Sequence, residues 1–313
     1  MPSLKEIKGR IGSVQSTLKI TSAMKLVASA KLRKAQQAIE GMRPYERKLQ
    51  EMLARLTAQT GGQVAGIFSR PEVSSDEEDI IPAPPKVAIV AFASNSSLCG
   101  AFNANVVRLT LDTLRSLDEA DVTVYSVGRK MADVMKKCGH PSPADFHKLA
   151  DKPSYAEAAA LAEGLMEAFR EGRLDRVELI YNHFISSGKQ VPVRETLLPM
   201  EISPLALLGR NDNFPVISSG AEGAVEKSAT DYILEPSAAE LREDLLPKSL
   251  KLKFFTALLD SNASEHAART VAMQTATDNG EDLLQELTLQ YNKSRQQKIT
   301  SEILDLAAGS QEQ

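Results

Sequence analysis

From Leu4 to Leu56 an apolar or small side chain returns mostly every three or four residues: Leu4, Ile7, Ile11, Val14, Leu18, Thr21, Met24, Ala28, Leu32, Ala35, Ile39, Met42, Leu49, Leu53 and Leu56. That rhythm draws the narrow seam of a coiled coil rather than the broad apolar face of a globular helix. Ser3 followed by Glu6 predicts a capping box at its start. Gly9, Gly12 and Gly41 weaken the helix, and Pro44 is expected to kink it. At 1.5 Å per residue such a helix reaches about 80 Å. No compact domain of this size encloses that length, so the helix must project.

The other end repeats the pattern. Ser237 and Glu240 predict a second capping box, and helical periodicity runs through Leu241, Leu245, Phe255, Leu258, Leu259, Met273, Ala276, Leu284, Leu287, Tyr291, Ile299, Ile303 and Leu306. Pro247 is expected to kink or briefly break it. A long helix with one exposed seam needs a partner, and the two ends of the chain supply each other. A domain lies between them, so the pairing is antiparallel. Setting Met24 level with Arg269 places Leu4 near Leu289. In a neighbouring register residues 291–307 outrun the partner. Composition agrees: aromatics are 5% of the 313 residues and Trp is absent, which suits a thin aliphatic core.

Between the seams the texture changes. Residues 61–84 hold Gly61-Gly62, an acidic cluster at Glu72, Asp76, Glu77, Glu78 and Asp79, and a proline run, and read as a linker. Lys86–Phe92 reads as a buried strand. Helix is expected over 103–117, 129–137 and 155–170, and strands over 122–127, 176–182 and 190–198. Alternating strand and helix predicts an open, mostly parallel, Rossmann-like α/β sheet with an antiparallel hairpin at one edge. The expected division is a coiled-coil helix over 1–60, the linker 61–84, the α/β domain 85–230 and the returning coiled-coil helix 231–313.

An α/β sheet invites a nucleotide, but the phosphate-binding devices are missing. No Gly-x-Gly-x-x-Gly follows the first strand, and no Gly-x-x-x-x-Gly-Lys-Ser/Thr occurs. The Ser and Asn side chains of 94–97 are expected to cap the following helix rather than hold an anion. Cys99 is read as a small buried thiol and Cys138 as a helix end; two cysteines make neither a disulfide scaffold nor a four-cysteine zinc site. The four histidines never fall at i, i+4, so no metal and no cofactor is expected. The uncharged stretch Val87–Val107 is too rich in Asn, Ser and Gly for a membrane helix. The first residues lack the pattern of a secretory or transit peptide.

Residues 1–35 carry eight basic side chains (Lys5, Lys8, Arg10, Lys19, Lys25, Lys31, Arg33, Lys34) and one acid, Glu6. Without interleaved aromatics this favours an acidic protein surface over nucleic acid.

These residues also carry a resemblance. The stretch from Ile20 to Gln36, containing Thr21-Ser-Ala-Met-Lys25, closely resembles the N-terminal signature of the gamma subunit of F-type (rotary) ATP synthases. Ser97-Leu-Cys-Gly-Ala-Phe-Asn103, Asp231-Tyr-Ile-Leu-Glu-Pro236, Ala267–Gly280 and Tyr291–Glu302 are similar to later blocks of that family, in the same order. Asn95-Ser96-Ser97 departs from it, standing where the family usually has Asp-Arg-Gly.

The resemblance implies a central-stalk rotor with no catalytic site of its own, one copy per complex. Ion flow turns the membrane c-ring and the shaft, and the shaft drives the catalytic beta subunits through their states. It implies partners: the hexamer of alpha and beta subunits, the epsilon subunit and the c-ring, with no nucleic acid and no direct membrane insertion. Carried over by motif, Met24 and Lys25 face the acidic beta lever, with Arg269 beside them. Gln296, Thr300 and Glu302 meet the catch loops. Ile299, Ile303, Leu304 and Leu306 form a bearing, and Tyr232 and Glu235 contact epsilon and the c-ring. The implied location is the cytoplasmic face of a bacterial inner membrane, as a peripheral protein. Two other classes fit the residues alone: a non-rotating coiled-coil tether, and an α/β enzyme with a helical arm.

Overall fold

The computed structural model describes residues 3–59, 68, 84–118, 120–200 and 237–309. Two helices dominate it: α1, Leu4–Gln59, and α6, Ala238–Gly309. Each shows the serine half of the expected capping box, while the Glu6 carboxylate pairs with Arg10 instead (3.1 Å). The Glu6 amide donates to Ser3 Oγ (3.2 Å) and the Glu240 amide to Ser237 Oγ (3.2 Å). Pro247 does not break α6, and α1 runs on past Pro44. A proline removes one hydrogen bond and crowds one carbonyl, but Leu246 and Leu250 beside Pro247 are buried, so packing holds the helix across the defect.

The helices pair antiparallel, but not in the expected register. Thr21 Oγ1 accepts from Thr277 Oγ1 (3.1 Å), and Leu18 lies against Gly280. Extending these two contacts sets Met24 level with Gln274, Arg269 level with Ser29, and Leu4 level with Ser294. The shift of about five residues was invisible in the sequence because seams of threes and fours can face one another at more than one offset. A polar pair and a glycine hole decide between the copies. The seam is thick below, where Ala28, Leu32, Ala35, Ile39, Leu49, Leu53 and Leu56 are buried, and thin above, where Ile7, Met273 and Leu287 are the buried members.

The α/β domain sits against the lower half of α6. Its strands are β1 (Lys86–Phe92), β2 (Asp121–Val127), β3 (Arg176–Ser186) and β4 (Lys189–Leu198), in the order β2-β1-β3-β4. β1 pairs parallel with β2 and β3, and β4 returns antiparallel to β3. The helices are α2 (Phe102–Ser116), α3 (Arg129–Lys137), α4 (His147–Asp151) and α5 (Tyr155–Arg170). Alternation along β1 separates two cores. Val87, Ile89 and Ala91 pack under Val106 of α2 and Met131 and Met135 of α3, while Ala88, Val90 and Phe92 pack with α5 and α6. Phe92 meets Phe254 of α6 edge-on at 5.6 Å.

The β3–β4 hairpin extends further than predicted, with only Ser187 and Gly188 between the strands. Its distal half is more exposed, so it lacks the apolar alternation that marks a strand. The five-residue α4 was not predicted, being too short to show a period. Residues 60–67, 69–83 and 201–236, and with them most of the acidic linker reading, lie outside the described residues.

Candidate functional site

In open α/β sheets, ligands bind at the carboxyl ends of the strands. Here that crevice is filled by the chain's own last helix. Leu258, Ser261, Asn262 and Glu265 of α6 close over Phe92, Ala93, Val127 and Ala150, leaving about 10 Å³. That is room for one water, whereas small-molecule sites measure about 300–1,000 Å³.

The loop after β1 is tied down, and not as predicted. Its side chains do not cap α2, whose N-cap is Ala101 without a side-chain bond. Asn95 Oδ1 accepts from the Arg129 amide (2.9 Å), the first residue of α3, and Asn95 Nδ2 donates to the His147 carbonyl (2.8 Å). Asn103 Oδ1 accepts from the Ser94 amide, and Asn103 Nδ2 donates to Cys99 Sγ (3.1 Å). Cys99 is 1% exposed, a packed thiol as expected. Gly128 has φ +101°, and an added Cβ would come 2.1 Å from the Ala93 carbonyl oxygen, so the α3 start must be glycine-tight against this loop.

With the crevice closed, the exposed chemistry lies on the shaft. Met24 is 40% exposed and Lys25 is half-buried on the same turn of α1, with Ile20, Leu26 and Val27 exposed around them. Lys5, Lys8, Arg10, Lys19, Lys31, Arg33 and Lys34 are all exposed. Arg269, expected beside Met24, is instead about 7.5 Å further along the axis by the observed register. It is turned inward: Nη1 pairs with Glu265 (2.5 Å), and Nη2 donates to Ser96 Oγ (2.8 Å), leaving 14% of the side chain exposed. This partner was hidden because Ser96 is 173 positions away in the chain.

Around Arg269 lies a buried polar group. Burial pushes the Glu265 carboxyl up, against the pull of Arg269. His266 is pushed down to about 4 by burial and then by Lys31 and Arg269, and its Nδ1 has no partner.

At the far end, all described side chains beyond Ser294 are exposed through Leu304. Gln296, Ile299, Thr300 and Ile303 share one face by their spacing; Ile303 is 60% and Leu304 63% exposed, while Glu302 points elsewhere and pairs with Lys298 (3.6 Å). The Leu306 side chain, Tyr232 and Glu235 lie outside the described residues. Among the described residues, no helix is long and apolar enough to cross a membrane, and no three potential ligands gather for a metal.

Comparison with known proteins covers the whole chain. The family model described as ATP synthase matches residues 3–311. The ATP synthase gamma chain of Bacteroides fragilis is 53% identical over 314 residues, 99% of each chain. That of Phocaeicola vulgatus is 51% identical over 313 residues, with the same coverage. Among solved structures, a chain of the Euglena gracilis mitochondrial ATP synthase (OSCP/F1/c-ring) aligns with a TM-score of 0.59 at 20% identity, over 98% of this chain and 93% of that one. A chain of the Tetrahymena thermophila central stalk/c-ring aligns with a TM-score of 0.52 at 23% identity, over 82% of this chain and 99% of that one. At those identities the structural likeness speaks for the fold.

Proposed function

The chain belongs to the ATP synthase gamma-chain family, and on that premise we propose that it is the turning central stalk of a bacterial ATP synthase, coupling ion-driven c-ring rotation to the cycling of the catalytic beta subunits. The observation that carries this reading is a shaft that outruns its own partner. α1 stops level with Ser294, and α6 continues as a single helix to Gly309, about 22 Å further. Exposed apolar side chains on such an overhang mark a surface that another protein covers.

The roles proposed are those that the family resemblance implies. Ile299, Ile303, Leu304 and Leu306 serve as the bearing inside the alpha–beta hexamer. Apolar contact is non-directional, so a helix can turn in it without breaking a fixed set of hydrogen bonds. Gln296, Thr300 and Glu302 meet the catch loops. Met24 and Lys25 meet the acidic beta lever, within a field of exposed cations that draws it in. Arg269 supports that region from its inward position. Tyr232 and Glu235 contact epsilon and the c-ring. The chain performs no bond-making step, a reading supported by the closed crevice and the missing phosphate loops. It acts as a peripheral subunit on the cytoplasmic face of the inner membrane.

The test is assembly and rotation. The chain should co-purify with a membrane-associated ATPase, and a bead on its α/β domain should turn when the immobilised complex is given ATP. A complex that holds the chain but hydrolyses ATP with a stationary bead would make it a tether.

A further inference from the structure

Among the described residues, six α6 side chains tie it by polar contacts to the α/β domain, and their spacing on the helix is not random. Lys251 pairs with Glu163 of α5 (2.9 Å), Asn262 donates to the Ala150 carbonyl in α4 (3.1 Å), and Arg269 reaches Ser96. Lys253 pairs with Glu195 of β4 (3.1 Å), Asp260 with His183 of β3 (2.5 Å), and Ser264 donates to the Asn182 carbonyl in β3 (2.9 Å).

At about 100° per residue, Lys251, Asn262 and Arg269 fall within roughly 20° of one another, and Lys253, Asp260 and Ser264 within roughly 40°. The two rows stand about 200° apart, on opposite flanks of the helix. One row is held by α4, α5 and the loop after β1, the other by β3 and β4. Between them lies the apolar face, with Leu250, Phe254 and Leu258 in the core shared with the sheet. The ties run from 251 to 269, about 27 Å of helix.

A single row would let the helix roll about its axis, like a hinge. Two opposed rows resist rolling in both senses. α1 is placed differently. Among the described residues it packs along α6, and makes no comparable packing with any strand or other helix. It meets the domain by way of α6.

We propose that α6 is keyed into the α/β domain by these two rows and carries the torque between that domain and the coiled coil, with α1 acting as a brace. This rests on the rotor reading. The six residues are then positioning residues for torque transfer; all but Arg269, which also supports the lever region, are separate from those assigned to the hexamer.

The experiment uses the assembled complex with a bead on Cys138, which is exposed at the end of α3 while Cys99 is buried. With the hexamer stalled by ADP, the angular variance of the bead reports the torsional stiffness of the shaft. Lys253→Met with Asp260→Asn removes most of one row. With most of one row gone the helix can roll towards the untied side, so the variance should rise above that of the wild type. Gln37→Gly, Ala38→Gly and Glu40→Gly soften α1 at exposed positions beside Gly41, and should leave the variance unchanged.

Equal widening in the α1 variant, or no widening in the row variant, would overturn the proposal. If the row variant does not assemble, Lys253→Gln with Ser264→Ala is judged by the same two outcomes. A wild-type bead that never turns with ATP sinks the rotor reading instead, so the two failures are distinct.

Discussion

Gly280→Ala sets two effects of similar size against each other. Glycine inside a helix costs about 1 kcal/mol relative to alanine. Gly12 shows the unobstructed case, since an added Cβ there meets nothing within 4 Å; Gly12→Ala should therefore stabilise by about 1 kcal/mol. At Gly280 the same Cβ lands 2.7 Å from Leu18 Cδ2 and 3.2 Å from its Cγ. Leu18 must leave its rotamer, at about 0.5–1.5 kcal/mol. It also gives up part of its half-buried apolar surface, about 1 kcal/mol more. The net for Gly280→Ala is a destabilisation of about 0.5–1.5 kcal/mol. In a Leu18→Ala background the obstruction is gone, and the same substitution should stabilise by about 1 kcal/mol. The coupling between the two sites is then about 1.5–2.5 kcal/mol. Urea titrations of the isolated chain, followed by helix ellipticity and by amide exchange across 14–24 and 275–285, measure all four corners of the cycle. Additivity within about 0.5 kcal/mol would show that Leu18 does not fill the space above Gly280, and the register would have to be redrawn.

That register has a second check. In a Cys138→Ser background, Ile11→Cys should form a disulfide most readily with Leu287→Cys, the facing position, and poorly with Leu283→Cys; the reverse preference would refute the pairing. His266, held near 4 in the fold against 6.5 unfolded, stays neutral while the unfolded chain takes up a proton. Stability should therefore fall as pH drops from 6.5 towards 4, by up to about 3 kcal/mol. Glu265, shifted upward, has the opposite slope and offsets part of this. His266→Gln should flatten the decline in urea midpoint between about pH 7 and 4.5, and an unchanged slope would assign the acid lability elsewhere. In the complex, Ile303→Cys should be protected from a maleimide that labels it rapidly in the isolated chain; equal labelling in both states would remove the bearing role.

The elements that sequence shows well are those whose side chains repeat. The seams of α1 and α6 are visible over tens of residues because each buried position predicts the next. β1 is visible because six consecutive side chains are buried on both faces. What stays hidden depends on partners that are distant in the chain. Nothing near Arg269 announces Ser96, and nothing in the loop after β1 shows that Asn95 will serve α3 rather than α2. Register belongs to the same class, since it is set by Thr21, Thr277 and one missing side chain at position 280. The exposed basic field and the overhanging apolar positions were legible as residues. The overhang itself was legible too; the fold moved its start from 291 to about 295.

The antiparallel pairing of the two ends also sets a timetable for synthesis. The ribosome makes α1 first and the segment that covers it last. At about 5–20 residues per second, Leu4 waits roughly 15–60 s before Ser294 exists. The α/β domain waits too, because Phe254, Leu258 and Ala263 of α6 fill its larger core. For most of its translation the nascent chain therefore shows an uncovered apolar stripe beside an unfinished sheet. Ala28 and Ala35, the small members of the α1 seam, make that stripe less adhesive while it waits.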